Sequence, residues 1–294
     1  MIDKTVSLVL GSGGARGLAH IGVIHWLEDN GFKIKSISGC SMGALVGGIY
    51  AAGKLDDYEQ WVSVLQKKDI FTLLDLSWGK SGLVKGDKII NTLVQLVGDI
   101  RIEDLPVSFT AVTVDISCEK EVWIETGKLF DAIRASISLP LFFTPFEHNG
   151  AMYIDGGVLN PVPIAPTFGD VTDMTIAVTL DGEARAVKKV TPHKSIPEET
   201  GFQLQEKISS FITRFSQKKK AKAPSRDWGA YDIVSHAFEA MQSTIARQKL
   251  AAYPPDYIIE IARNACGTLE FDRAPEMIEL GYERAGKALA KLLD

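Results

Sequence analysis

The sequence lacks several features that define other classes of protein. It has only three cysteines, Cys40, Cys118 and Cys266, an odd number without regular spacing, which argues against a disulfide framework. No stretch reaches the roughly 20 consecutive apolar residues that span a bilayer. The apolar run at residues 6–10 is too short to be the core of a signal peptide. We therefore expect a cytoplasmic protein, either soluble or peripheral at the inner face of the membrane.

An excess of positive charge is also missing. The chain has 32 basic and 37 acidic residues and a net charge of −5, so we expect no nucleic-acid partner. Nothing has the spacing of metal ligands, and we predict no metal and no other cofactor. With 294 residues, 46% of them apolar, the chain can bury a sizeable core. We favour a single domain over residues 1–294.

Apolar patterning predicts alternating strands and helices. A buried strand at residues 5–10 stops at glycines and is followed by helical spacing from Leu18 to Asn30. A strand at residues 35–38 and a helix at residues 42–52 repeat this order, which favours a parallel sheet with helices on both faces. Further strands are predicted at residues 109–115, 121–125, 152–154, 174–180 and 257–262, and further helices at residues 87–97, 128–137, 228–251 and 274–293. The motif-bearing core covers about residues 5–180, a polar insertion covers 182–228, and helices and a strand cover 228–294.

A serine between two glycines lies where the second strand gives way to the second helix. The sequence GCSMG at residues 39–43 matches the G-x-S-x-G nucleophile elbow. The motif is weak alone, but the strand before it and the helix after it are the setting that it requires. A side chain at Gly39 or Gly43 would crowd the strained turn. We predict Ser41 as a nucleophile, beside a helix N-terminus that stabilises an oxyanion.

A second glycine-rich turn, GSGGARG at residues 11–17, ends the first strand. In a parallel sheet it lies at the same edge as Ser41, so its N–H groups can face the nucleophile. A dinucleotide or phosphate loop is the alternative. Against it, Gly11 and Gly13 are followed by Arg16 where the dinucleotide motif has glycine, and no Gly-Lys-Ser/Thr sequence is present.

A carboxylate is predicted at another strand end, where Asp155 precedes Gly156 and Gly157. Within hydrogen-bonding reach of Ser41 it can act as a general base, although Asp-Gly-Gly alone is more often a simple turn. None of the five histidines, at positions 20, 25, 148, 193 and 236, sits convincingly for a Ser-His-Asp triad. A dyad is simpler, and His148 stays open as a third member.

Together these motifs resemble the bacterial patatin-like phospholipase family (the PNPLA domain). The sequences that carry the resemblance are GSGGARGLAHIGVI at residues 11–24, GCSMGAL at residues 39–45 and DGG at residues 155–157. Three motifs in the family's order are more specific than any one of them. The resemblance is strongest over roughly residues 5–170. It implies a three-layer α/β/α sandwich with a mostly parallel central sheet and a Ser41–Asp155 dyad without histidine.

The resemblance also assigns roles by position. Gly13 and Gly14 match the glycines of the oxyanion hole, and Arg16 matches the basic residue that orients this loop or meets a substrate phosphate. Ser12 departs from the family, which usually has glycine there. The implied activity is hydrolysis of carboxylic ester bonds in a lipid substrate, of phospholipase A, lysophospholipase or esterase type. A thioesterase or acyltransferase with the same dyad, and a non-catalytic regulatory protein that retains the fold, stay open as alternatives.

Residues 202–222, within the polar insertion, have the pattern of an amphipathic helix. Five apolar residues fall on one helical stripe, at positions 204, 208, 211, 212 and 215, and lysines follow at 218, 219, 220 and 222. This pattern is typical of a segment that lies on an anionic membrane. A helix that packs on its own domain or on a second subunit, with a solvated lysine tail, fits equally well.

The membrane hypothesis predicts that exchanging four lysines for glutamine weakens binding to anionic vesicles. In the variant with Lys218, Lys219, Lys220 and Lys222 all replaced, about 1 kcal/mol of attraction is lost for each charge near the surface. Co-sedimentation with phosphatidylserine-containing vesicles measures the change, and vesicles of phosphatidylcholine alone serve as the control. Equal binding of the variant and the unchanged protein to anionic vesicles would contradict the hypothesis.

Overall fold

The computed structural model describes residues 4–75, 84–184 and 229–293. Contacts divide the chain into two units, one formed by residues 1–185 and 242–294 and the other by residues 186–241. In the second unit only residues 229–241 are described, as the start of a helix. The predicted amphipathic segment at residues 202–222 lies outside the described residues. The architecture below is that of the first unit.

A single sheet organises this unit, and its described part has eight strands. They are β1 (Thr5–Leu10), β2 (Lys33–Cys40), β3 (Ser108–Asp115), β4 (Lys120–Ile124), β5 (Phe146–His148), β6 (Ala151–Asp155), β7 (Met174–Gly182) and β8 (Tyr257–Ala262). The order is β5-β6-β3-β2-β1-β7-β8, and β4 pairs with β3. The pairs along β3-β2-β1-β7-β8 are parallel, whereas β4, β5 and β6 are joined by antiparallel pairing.

Helices flank the sheet. They are α1 (Ala19–Asp29), α2 (Met42–Ala51), α3 (Leu55–Ser63), α4 (Lys67–Leu73), α5 (Asp87–Val97), α6 (Leu129–Ser136) and α8 (Ala274–Leu289), together with the part of α7 (Ala230–Ala252) from residue 242 onward, which belongs to this unit. The side chains of β1 show why both faces are covered. Leu8 and Leu10 belong to the large core cluster, whereas Val9 belongs to a second, smaller one. A strand buried on both faces usually reads as a largely apolar run, and β1 fits this pattern apart from Ser7, whose buried hydroxyl forms hydrogen bonds with the side chains of Asp170 and Thr172.

The predicted fold class is confirmed as a mixed central sheet with helices around it. β1, α5 and β8 have the predicted bounds, and the predicted hairpin is β3–β4. β5 was not predicted, because three residues are too short to show an alternating pattern. Among the described helices, none combines the length and the apolar character that crossing a bilayer requires.

The register of the sheet brings three predicted site segments together at the carboxyl ends of the parallel strands: the turn after β1, the turn after β2 and the end of β6. β1 and β2 run parallel with Leu10 opposite Gly39, so the turns that follow them begin side by side. β6 runs antiparallel to β3, with Asp155 opposite Thr113 near the carboxyl end of β3. Since β3 is parallel to β2, the end of β6 lies beside the turn after β2.

Candidate active site

Ser41 forms the turn between β2 and α2 in a strained backbone conformation. Its φ is 55° and its ψ is −121°, and a positive φ in a residue with a side chain is unfavourable. The flanking glycines permit a very tight turn. A Cβ atom at Gly39 would lie 2.4 Å from the carbonyl oxygen of Gly43, and one at Gly43 would lie 2.0 Å from that of Leu10. Only glycine fits at these two positions without moving backbone atoms.

The structure brings Ser41 and Asp155 into direct contact. The Ser41 hydroxyl donates a hydrogen bond to Oδ2 of Asp155 at 2.5 Å. The other carboxylate oxygen, Oδ1, accepts from the N–H of Gly157 at 2.7 Å and more weakly from the Cys40 thiol at 3.9 Å. Both members of the pair are buried, Asp155 completely. Both oxygens of Asp155 therefore have protein donors.

Burial changes the acidity of the groups around this pair. It raises the pKa of Asp155 from 3.8 to about 6, against the opposing effect of the hydrogen bonds from Ser41, Gly157 and Cys40. Burial, together with the nearby negative charge of Asp155, also raises the pKa of the Cys40 thiol well above its usual range. Near neutral pH the carboxyl group is ionised and the thiol keeps its proton.

Gly156 and Gly157 let the chain pass very close to its neighbours. A Cβ atom at Gly156 would lie 2.2 Å from the carbonyl oxygen of Val112 in β3. One at Gly157 would lie 2.6 Å from Nε2 of Gln242 and 2.7 Å from Oγ of Ser12. The two glycines therefore allow the end of β6 to press against β3 and the loop that follows β1.

The loop after β1 holds two backbone donors without a protein partner. The N–H groups of Gly11, Ser12 and Ala15 donate to backbone carbonyls elsewhere. Within the part of the chain that the structure describes, those of Gly13 and Gly14 have no protein acceptor. Gly14 has a φ of +57° and opens a short 3-10 helix. Two adjacent unpaired N–H groups are suited to bind an oxygen that carries negative charge.

Contacts with α1 and α2 fix this loop in place. Nε2 of His20 in α1 lies 2.9 Å from the carbonyl oxygen of Gly11. Burial lowers the pKa of His20 to about 4, so the ring is neutral and donates through Nε2. A Cβ atom at Gly17 would lie 2.4 Å from Cβ of Met42, the residue after Ser41. The loop and the turn at Ser41 are therefore packed against each other.

Arg16 points toward the segment that follows β8. Its side chain is 8% exposed, and Nη1 donates to the carbonyl oxygen of Arg263 at 3.1 Å. Its buried Nε has no hydrogen-bond partner among the described residues. This contact ties the glycine-rich loop to the chain after β8. The role of Arg16 toward a substrate stays a prediction.

Ser41 and Asp155 have no histidine partner among the described residues. His148, which the sequence left open as a third member, is exposed at the end of β5 and stacks on Phe146 with ring centroids 5.8 Å apart. His193 lies outside the described residues. The observed geometry is that of a serine–carboxylate pair.

Away from the pair of Ser41 and Asp155, one group of side chains in the described part of the chain has the arrangement of metal ligands. His25, Asp56 and Glu59 place one ligand atom each within 4.8 Å of one another, between α1 and α3. They lie at the surface, and His25 is paired with Glu59 at 2.5 Å. This group belongs to neither of the loops that meet at Ser41.

Sequence reasoning missed the polar residues at the end of α6. Ser136 is fully buried, and its Oγ accepts a hydrogen bond from the N–H of Ser41 at 2.8 Å. The carbonyl oxygen of Ser138 accepts one from the N–H of Asp155 at 2.9 Å. A usable signal was present, because serine is a poor choice for the buried face of a helix unless its hydroxyl has a partner.

The arrangement of the site can be compared with known proteins. A strained serine at a strand-to-helix turn is the geometry of a nucleophile elbow, and here its hydroxyl is hydrogen-bonded to a carboxylate. A family model described as "Patatin-like phospholipase" matches residues 8–168. The chain belongs to the patatin-like phospholipase family, which confirms the resemblance noted in the sequence.

Two sequence relatives and one solved structure are similar to this chain. An uncharacterised NTE family protein of Mycobacterium bovis is 36% identical over 97% of this chain and 91% of its own length. The lysophospholipase NTE1 of Pyricularia oryzae is 27% identical over all of this chain, which corresponds to 19% of that longer protein. The crystal structure of VipD from Legionella pneumophila is similar at a TM-score of 0.46 and 16% identity, over 99% of this chain and 67% of that one.

The acidity of Asp155 predicts that Asp155→Asn stabilises the protein at pH 8. The pKa is about 6 in the folded chain against an ordinary 3.8, so the folded state holds the proton more tightly. This tighter proton binding stabilises the folded state fully below about pH 4, and the stabilisation is lost as the pH rises through 6. Asparagine carries no buried charge, and we expect a gain of about 1–3 kcal/mol at pH 8.

Calorimetric melting at pH 8 and pH 4 measures the effect, which should vanish at the lower pH. Asp173→Asn is a control of opposite sign, because hydrogen bonds from the N–H and hydroxyl of Thr5 lower the pKa of Asp173. That variant should lose stability at pH 8. If Asp155→Asn melts at a lower temperature than the wild type at pH 8, the ionised carboxylate does not destabilise the folded protein, and the prediction is wrong.

Proposed function

We propose that the protein is a serine acyl hydrolase that cleaves carboxylic ester bonds of lipids, with Ser41 as nucleophile and Asp155 as general base. The observation that carries the proposal is the 2.5 Å hydrogen bond from Oγ of Ser41 to Oδ2 of Asp155. A carboxylate that already accepts the hydroxyl proton is placed to take it as the oxygen attacks. The raised pKa of Asp155 makes it a stronger base than an exposed aspartate.

In the first half-reaction, Oγ of Ser41 attacks the carbonyl carbon of the ester while its proton passes to Oδ2 of Asp155. The carbonyl oxygen takes up the displaced electron pair and becomes an oxyanion. As the tetrahedral intermediate collapses, the bond to the alcohol oxygen breaks, and Asp155 returns the proton to this leaving group. The alcohol departs and the acyl group remains on Ser41.

In the second half-reaction, water attacks the acyl-enzyme and gives its proton to Asp155. Collapse of this intermediate releases the fatty acid and restores the proton to Ser41, so that protons and electrons balance without a cofactor. The unpaired N–H groups of Gly13 and Gly14 are the proposed donors to the oxyanion in both steps. The first N–H groups of α2, at whose N-terminus Ser41 stands, add a favourable dipole.

The family and the relatives support a lipid as the substrate. A lysophospholipase is among the proteins similar to this chain over its whole length. We propose a phospholipid or lysophospholipid as the substrate class and Arg16 as a residue that orients the glycine-rich loop from its anchor at Arg263. A cytoplasmic location, with contact to the inner membrane face through residues 202–222, completes the proposal.

Loss of the Ser41 hydroxyl is expected to abolish the reaction. Ser41→Ala should not be labelled by a fluorophosphonate probe and should release fatty acid from lysophosphatidylcholine at least about 10³-fold more slowly. Ser38→Ala is a matched control, because Ser38 is a buried serine of β2 whose hydroxyl has no described partner. Mass spectrometry of the labelled peptide identifies the modified residue. Full hydrolysis by Ser41→Ala would remove the proposal, as would a wild-type protein that neither reacts nor hydrolyses.

If Asp155 is the general base, the plot of kcat against pH should show an acid limb, in which the rate falls as the pH is lowered. Only ionised Asp155 can accept a proton, so kcat should fall about tenfold for each pH unit below the pKa of about 6 and level off above pH 7. Initial rates between pH 4.5 and pH 8 with p-nitrophenyl butyrate measure the profile, with circular dichroism at each pH to confirm folding. A rate that stays constant down to pH 4.5 would exclude Asp155 as the base.

A further inference from the structure

The strained turn at Ser41 is anchored from outside the β2–α2 unit. Its carbonyl oxygen accepts a hydrogen bond from the N–H of Leu45, the ordinary first bond of α2. Its N–H is turned away from that helix and donates to Oγ of Ser136 at 2.8 Å. Since a positive φ is unfavourable for serine, the surrounding contacts must hold this conformation. The bond to Ser136 is one of them.

The hydroxyl of Ser136 is itself held in one orientation. It donates to the carbonyl oxygen of Val112 in β3 at 2.6 Å while it accepts from Ser41. A hydroxyl that accepts one bond and donates another has no freedom to rotate. Ser136 is fully buried, so water does not compete for either bond. A central strand of the sheet is thus connected to the N–H of the nucleophile through a single oxygen atom.

The same turn of chain holds the carboxylate partner. Two residues after Ser136, the carbonyl oxygen of Ser138 accepts the N–H of Asp155 at 2.9 Å. Asp155 is also paired with Thr113 of β3 in the sheet. Residues 136–138 therefore contact the backbone of both members of the reacting pair. β2 and β6 do not pair with each other. They are joined through β3, which lies between them in the sheet, and through the turn at residues 136–138.

We infer that Ser136 is a positioning residue, which sets the backbone of Ser41 so that its hydroxyl meets both Asp155 and the substrate carbonyl. This inference rests on the proposed function of Ser41 and Asp155. Ser136 does not touch the reacting atoms and acts through the N–H of Ser41. Its removal should therefore slow the chemical step without weakening substrate binding.

The test compares Ser136→Ala with Ser7→Ala. Ser7 is likewise a fully buried serine with two hydrogen-bonded neighbours, Asp170 and Thr172, but it lies away from Ser41 on β1. Both variants lose buried hydrogen bonds, and each should melt at a lower temperature than the unchanged protein. Ser136→Cys is a milder second variant, because the thiol retains a weak donor and acceptor in the same place.

We expect Ser136→Ala to lower kcat for p-nitrophenyl butyrate and the rate of fluorophosphonate labelling by about 10- to 100-fold, with KM unchanged. Ser136→Cys should lie between Ser136→Ala and the wild type, and Ser7→Ala should stay within about threefold of the wild type. The acid limb of Ser136→Ala should also move to higher pH, because the hydrogen bond from Ser41 lowers the pKa of Asp155 and would be loosened.

Two outcomes overturn the inference while leaving the proposed function intact. In one, the wild type reacts at Ser41 and Ser136→Ala reacts equally fast. In the other, kcat falls to the same extent in Ser7→Ala and Ser136→Ala, and the acid limb of the rate profile does not move. That result indicates general destabilisation of the protein. If Ser136→Ala does not fold, an unchanged kcat and acid limb in Ser136→Cys overturn it instead. A wild-type protein that does not react at Ser41 removes the proposed function, and the inference with it.

Discussion

The backbone conformation of Ser41 is the constraint on which the arrangement of the site depends. A serine with a φ of 55° is held there only if its surroundings exclude the ordinary conformations. Gly43 approaches the carbonyl oxygen of Leu10 so closely that a side chain has no room, and this packing couples the turn to the end of β1. The loop that continues from β1 carries Gly13 and Gly14, so the position of Ser41, the proposed nucleophile, is determined together with that of the two N–H groups that have no acceptor among the described residues.

The burial of Asp155 sets the chemistry that this geometry supports. A fully buried carboxylate is less stable as an anion than one in water, and three hydrogen-bond donors reduce this penalty only in part. The result is a base of intermediate strength. A histidine would supply similar basicity without burial of a carboxylate. None of the described histidines contacts Ser41 or Asp155. In the proposed mechanism, desolvation of Asp155 thus supplies the base near neutral pH in place of a third residue.

Local steric rules explain which parts were predictable from the sequence. Gly39, Gly43, Gly156 and Gly157 occur where the backbone passes within contact distance of other chain segments, so their spacing marks the turns at Ser41 and Asp155. β1 and β8 were bounded correctly because their mainly apolar sequences, interrupted only by Ser7 and Glu260, are followed by a glycine and an arginine. Ser136 meets Ser41 across 95 positions of sequence, and Arg16 meets Arg263 across 247. Such pairs follow from the order of strands in the sheet, which apolar periodicity does not encode.

The attachment of both Ser41 and Asp155 to β3 has a consequence for how the site is lost on unfolding. Val112 pairs with Cys40 and accepts the hydroxyl of Ser136, and the adjacent Thr113 pairs with Asp155. β3 is an interior strand, and such strands usually open only when the whole domain unfolds. Local fraying at the edges of the sheet therefore does not reach Val112 and Thr113, and we expect their amides to exchange with deuterium only through global opening. Heating should disrupt the contact between Ser41 and Asp155 in the same cooperative transition that melts the sheet, and not before it.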